Sequence, residues 1–300
     1  MEWTKQGRIF EPAGQAPWIG THAALPVVDV TPHGCRVYFT SRDQRGRSHI
    51  GRAALALGTR PAVLDVSPEP ILAPGPLGSF DDAGVTSSCV VRYDGRIFCY
   101  YTGWSLGVSV PFYLNAGLAI SDDDETFQRI SPAPLLDRCA VDPYLTASPW
   151  VLREESVWRM WYVSGTGWQI IDGRPRHNYH IKYAESSDGQ CWERKGIVCL
   201  DYQEDEYAFG RPCVMRDDAL KRYRMWYSFR GTTYRLGYAE SADGIVWERK
   251  DADAGLPLSS SGWDSEMITY PVVFHHAGGL HMLYNGNDYG RSGFGLATES

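Results

Sequence analysis

The chain repeats itself about every sixty residues, and that period constrains its fold more than any other feature. Three apolar tracts read almost alike: Arg159-Met160-Trp161-Tyr162-Val163-Ser164, Arg224-Met225-Trp226-Tyr227-Ser228 and His281-Met282-Leu283-Tyr284-Asn285. Weaker copies stand upstream at Arg36–Thr40 and Ile97–Thr102. Each tract follows a short apolar run, and these runs begin at Pro26, Cys89, Pro149, Pro212 and Pro271, in steps of 63, 60, 63 and 59 residues. Self-similarity at such a period is the signature of a repeat architecture.

The order within a copy is fixed as well. A third run follows the second, as in His180–Ser186 and Tyr234–Ser241. Next come an Asp-Gly turn (Asp188-Gly189, Asp243-Gly244) and a fourth run opening on Trp192-Glu193-Arg194 or Trp247-Glu248-Arg249. Short aromatic and β-branched runs punctuated by Gly, Asp and Asn are strand and hairpin signals. No copy holds a stretch of helical period. Four strands per copy and five copies predict an all-β, five-bladed β-propeller of four-stranded antiparallel blades. The copies start near residues 18, 81, 141, 204 and 263.

The fifth copy ends on its third strand, Phe294–Ser300. Trp3-Thr4-Lys5-Gln6-Gly7-Arg8-Ile9 resembles the fourth-strand segment Trp192–Ile197. Residues 1–10 are therefore expected to complete the fifth blade, closing the ring and removing a sheet edge. The expectation is one domain over residues 1–300.

Composition narrows the partners. With 29 Lys+Arg against 36 Asp+Glu the net charge is −7, which argues against nucleic acid or an anionic membrane as main partner. No apolar stretch approaches the roughly 20 residues that span a bilayer, and the start lacks the regions of a signal peptide. Seven scattered cysteines without a CxxC suit reduced thiols in the cytoplasm better than a disulfide frame or zinc site. No phosphate loop, GxSxG elbow or HExxH is present. No cofactor is expected, and the histidines lack metal-ligand spacing; an ion in the channel stays open.

In a propeller the segments before strand one and after strand two emerge on one face around a central pocket. The former carry His22, Asp81, Asp82, Asp142, Asp205, Glu206, Arg211, Asp264, Glu266 and Tyr270. The latter carry Arg42-Asp43, Trp104, Ser164 through Trp168, Arg230 and Asn285 through Asp288. Carboxylates, arginines, amides and tryptophans suit a sugar, whose hydroxyls want charged and amide partners and whose apolar face stacks on aromatic rings. Plainer roles compete with these. Asp82, Asp142, Asp205 and Asp264 recur seven residues ahead of strand one, which reads more simply as a turn or cap. Arg42 and Arg230 can equally pair with neighbouring acids. Most of the 39 aromatics belong to the repeat itself, leaving Trp104, Trp168 and Tyr270 as the residual candidates for stacking.

Through its blade repeat and its Ser-x-Asp-Gly outer turns (Ser186 to Trp192, Ser241 to Trp247), the whole chain resembles the five-bladed propeller glycosidases of glycoside hydrolase families 32, 43, 68 and 130. Phe209-Gly210-Arg211-Pro212, Trp263 to Pro271 and Tyr284 to Asn287 are similar to segments of bacterial glycosyl hydrolase-like "glycosylase" proteins. The resemblance implies acids at the starts of innermost strands. In Thr21–Pro26, where the first would stand, there is none, and Arg211-Pro212 occupies another such place.

Two functions follow as expectations. The first is a glycosidase, glycoside phosphorylase or related transfer enzyme acting on a small soluble sugar conjugate, with anionic and nucleotide-linked sugars among the candidates. Glu206 and Glu266 would be its acid and base, with Asp82 in reserve. His22, Arg42, Asp43, Trp104, Trp168, His180, Arg211, Arg230, Tyr270, Asn285 and Asn287 would bind the substrate. The second is a propeller that binds a sugar or a protein without catalysis, favoured by the missing acids.

Overall fold

In a computed structural model, which describes every residue except Glu204, the chain is all-β. The expected start of the fourth copy, near 204, thus falls at the one residue outside the description. Strand pairing groups the strands into antiparallel meanders in chain order. The first is β2 (Thr21–Thr31), β3 (Gly34–Arg42), β4 (Ser48–Ala56) and β5 (Ala62–Leu64). The second is β6 (Gly84–Tyr93), β7 (Arg96–Leu106), β8 (Phe112–Ser121) and β9 (Gln128–Arg129). The third is β10 (Thr146–Glu154), β11 (Val157–Ile171), β12 (Arg174–Ser186) and β13 (Val198–Leu200). The fourth is β14 (Ala208–Asp217), β15 (Arg222–Arg230), β16 (Tyr234–Ser241) and β17 (Glu248–Arg249). The last joins β18 (Thr269–His276), β19 (Gly279–Asn285) and β20 (Phe294–Glu299) to β1 (Trp3–Phe10), which pairs antiparallel with β20 from Trp3↔Glu299 to Phe10↔Phe294.

The apolar core lies between successive meanders. Phe98 and Tyr100 pack with Trp158 and Met160; Trp161 and Tyr183 with Phe209 and Tyr227; Trp226 and Tyr238 with Met282, Tyr284 and Trp3. Phe39 packs with Phe294 and Leu283 of the last meander, and Tyr38 with Tyr101 of the second. The repeated aromatic strand is thus an inter-sheet filler, and large rings supply much apolar area per residue.

Two local devices repeat. In the outer turns, Asp188 and Asp243 each accept two following backbone N–H groups, at 2.7–2.9 Å, while Trp192 and Trp247 donate back to the turn glycine. In the third strands, glycine leaves room for a tyrosine of strand two: a Cβ on Gly237 would stand 2.3 Å from the Tyr227 ring, and one on Gly117 would stand 2.4 Å from Tyr101. Gly237→Ala is accordingly expected to destabilise by about 1–3 kcal/mol through overpacking, read as a lower urea midpoint at unchanged slope. A midpoint equal to wild type would show that the Tyr227 ring moves aside freely.

Among the described residues no helix is long and apolar enough to cross a membrane, and the seven cysteines are unpaired.

Candidate functional site

The first strands carry a recurrent irregularity. Each has a register shift near its start, between Ala24 and Val27, Ser87 and Cys89, Ala147 and Trp150, Gly210 and Cys213, and Thr269 and Val272. Four of these bulges place a residue before proline in the left-handed region: Leu25 (φ 52°), Ser148 (φ 47°), Arg211 (φ 45°) and Tyr270 (φ 56°). Such conformations are disfavoured for non-glycine residues and collect at functional sites. Leu25, Ser148 and Tyr270 line one cavity of about 370 Å3, shared by all five meanders, and His22 (φ 63°) and Tyr289 (φ 57°) line it as well.

Its polar lining comprises two arginines, two histidines, four tyrosines and a few hydroxyls. Arg42 ends β3 and Arg230 ends β15; neither is within ion-pair distance of a carboxylate among the described residues. The Arg230 guanidinium lies over the rings of Tyr234, Tyr207 and Tyr289 at 5.4, 5.5 and 5.9 Å, which holds it in place. The Tyr179 and Tyr234 hydroxyls meet at 2.5 Å. Trp104 donates its indole N–H to Ser48 at 2.6 Å, and Phe112 completes the aromatic wall. Among the described residues no aspartate or glutamate lines the cavity.

The histidines are neutral at physiological pH. Burial, then the charge of Arg42, lowers His22 to about 4; burial, then Arg230, lowers His177 to about 4. Between the ordinary value of 6.5 and about 4 the unfolded chain binds protons that the folded cavity refuses, so stability falls as pH drops through that window. The gap in melting temperature between wild type and a His22→Gln/His177→Gln variant should hold steady above pH 6.5 and shrink towards pH 4. A gap constant across that range would contradict the assignment.

The expected carboxylates are elsewhere. Three buried acids belong to a clasp repeated in the meanders, where each accepts from a strand-two tyrosine and a cation of the outer strand or turn, while buried Asp29 pairs with Arg92. Asp81 takes Tyr101 and Arg129; Asp142 takes Tyr162, Arg194 and Lys182; Asp264 takes Tyr284 and Lys5. In the fourth meander Asp251 takes Tyr227 and Arg249, and Glu206 accepts two bonds from the same Arg249 at 2.8 Å. Glu206 is thus engaged structurally, in a separate cleft with Asp205, Tyr207 and Arg176. Asp82 accepts from the Gly78 N–H in a turn, and Glu266 is exposed. The three do not converge on the cavity.

Of the expected binding residues, His22, Arg42, Trp104, Arg230 and Tyr270 do line it. Arg211 is buried and fails to line it. Trp168 stands one layer back, its ring against Phe112 and His177. Asp43 clamps the β3–β4 loop through Arg47 and His49. His180 lies against Tyr202, away from the lining. Asn285 ties the last meander to the first by bonding Leu25 N and Ala23 O, and Asn287 staples the backbone of Glu266 and Met267. Both amides are engaged by the fold through oxygen and nitrogen alike.

Sequence reasoning missed Tyr179, Tyr234, Phe112 and Ser48. Ser48, Phe112 and Tyr234 open third strands, and Tyr179 stands within the longer β12 opposite Gly165; antiparallel pairing brings all four back beside strand two, and that was the available signal. Tyr289 lies in the turn after strand two, beside Asp288 at the rim near His22.

No protein-family model matches the chain. It is 43% identical to the uncharacterized protein MT1551 of Mycobacterium tuberculosis, over 99% of both chains. Among solved structures it superposes on a glycoside hydrolase with TM-score 0.75 at 16% identity, covering 99% of this chain and 91% of that one. A thermostable family-43 glycoside hydrolase gives TM-score 0.65 at 19% identity over 94% and 89%. The endo-arabinase from Bacteroides thetaiotaomicron gives TM-score 0.66 at 13% identity over 98% of both.

Proposed function

The chain belongs to the family of the Mycobacterium tuberculosis protein MT1551 and has the fold of the family-43/32 glycoside hydrolase propellers, and on that premise we propose that it binds an anionic sugar conjugate in its central cavity. In this reading the five meanders are blades of one ring over residues 1–300, closed by β1, with the cavity on the axis.

One observation carries the proposal: Arg42 and Arg230 face a cavity that offers them no carboxylate among the described residues. In a chain of net charge −7 such a local positive field selects a ligand that brings its own negative charge. The planar guanidinium fork suits a carboxylate or phosphate. Neutral His22 and His177 and the tyrosine hydroxyls serve sugar hydroxyls, while Trp104, Tyr234 and Phe112 suit a sugar's apolar face. A volume of about 370 Å3 falls in the range of small-ligand sites.

Glycoside hydrolysis uses a pair of carboxyl groups flanking the bond, and the described residues of the lining provide none, so binding is the leading reading. A glycosidase reading is supported by the glycoside hydrolase neighbours and by exposed Asp288, next to the lining residue Tyr289, whose charge acts on His22. The test is a titration of paired ligands at fixed ionic strength, a hexuronate against its hexose and a sugar phosphate against its sugar. Saturable binding of the acid member, at least about tenfold tighter (1.4 kcal/mol), is expected, with no hydrolysis of aryl glycosides with or without phosphate. Hydrolysis abolished by Asp288→Asn would establish the glycosidase reading instead.

A further inference from the structure

Arg211 is 1% exposed, and it is the most deeply buried arginine on the first strands. It leaves β14 at the bulge before Pro212, in the left-handed region. Its Nη2 reaches the carbonyl of Pro26 in the first meander at 2.6 Å and that of Ser88 in the second at 3.3 Å. The side chain therefore crosses from the fourth meander to the first two, in the register whose other members, Leu25, Ser148 and Tyr270, form the wall of the cavity. Its Nε and Nη1 are buried without a hydrogen-bond partner.

The charge on this group is uncompensated. No carboxylate lies within ion-pair distance of it among the described residues. The titratable groups around it are Cys213, Cys89 and Tyr270. Burial pushes both thiols up to about 12 and raises the phenol further, so all three are neutral at pH 7. Burial also lowers Arg211 itself to about 10, which leaves it protonated. A buried cation with two unused N–H donors is costly unless an anion or ordered dipoles meet it. The two carbonyls use one nitrogen only.

We propose that Arg211 binds a small monovalent anion of halide size, with Nε and Nη1 as donors, between the central cavity and the core. The near-complete burial of Arg211 excludes an occupant the size of a sugar, whereas the sugar ligand is held above by Arg42 and Arg230. The anion site is thus separate from the proposed sugar site and would stabilise the centre of the fold by supplying the missing counter-charge.

Crystals of the wild-type protein grown or soaked in bromide test this directly. An anomalous peak within hydrogen-bond distance of Arg211 Nε or Nη1 is the expected result. Water alone at that position under saturating bromide overturns the proposal, as do peaks confined to the surface, which would mark an adventitious ion only. In solution, the melting temperature should rise saturably as chloride replaces gluconate at constant ionic strength. Arg42→Gln/Arg230→Gln should keep that response, and Arg211→Met should lose it. A response that survives intact in a folded Arg211→Met protein also overturns the site. Since sugar-acid binding is read on Arg42 and Arg230, either proposal can fail without the other.

Discussion

Replacing Asp142 by alanine is expected to destabilise the fold by about 3–5 kcal/mol, the cost of breaking a buried ion pair from one side. Asp142 is 0% exposed. It accepts from Ser164 Oγ at 2.7 Å, Arg194 Nη1 at 2.9 Å, Tyr162 Oη at 3.0 Å and Lys182 Nζ at 3.3 Å. Alanine would leave the Arg194 and Lys182 cations, a phenol and a hydroxyl without their common acceptor. At a few degrees per kcal/mol for a chain of this size, the melting temperature should fall by about 10 °C. Asp142→Asn keeps the shape and loses the charge, so it should lie between wild type and alanine. Were Asp142→Ala to melt with the wild type, the clasp would carry no stability. Loss of ligand binding in a stable Asp142→Ala protein would instead mark the acid as functional.

Arg230→Gln is expected to weaken binding of the acidic ligand by roughly 30-fold or more. Losing one partner of a desolvated charge pair costs about 2–5 kcal/mol, and each 1.4 kcal/mol is tenfold. The neutral counterpart should bind the variant and the wild type alike, because the lost interaction is with the acid group alone. Arg230→Lys retains the charge but gives up the planar contact with the Tyr234, Tyr207 and Tyr289 rings, so a smaller loss is expected. Calorimetry at two salt concentrations reads all three. Equal losses for acidic and neutral ligands would show that Arg230 shapes the cavity rather than recognising charge.

The period, the strand order and the role of most aromatics were legible in the sequence because they follow from local patterning repeated in each copy. The site was legible only in part. Arg42, Arg230, Trp104, His22 and Tyr270 were found because strand ends converge on one face whatever their side chains. Tyr179 and Tyr234 were missed because third-strand openings return to that same face, a consequence of antiparallel pairing that the search of two segments per copy left out. The carboxylates misled for a physical reason. Asp81, and not the evenly spaced Asp82, holds the second clasp, because strand pairing sets Cys89 level with Trp150 and Val272 rather than with Pro149 and Pro271, which makes Asp81 the counterpart of Asp142 and Asp264. In the fourth meander Asp251 arrives from the turn after β17 rather than from ahead of strand one, and Glu206 joins it on Arg249, so the glutamate expected to be catalytic is held in a structural ion pair. Burial and charge balance decide such cases, and both depend on which strands become neighbours.

The central claim is that the cavity recognises the acid group of a sugar conjugate. A crystal structure with a hexuronate or sugar phosphate bound tests it most directly. The acid group should lie against Arg42 and Arg230, with the ring beside Trp104 or Tyr234. A sugar bound in the cleft of Asp205 and Glu206, or seated in the cavity with its acid group turned to solvent, would contradict the account.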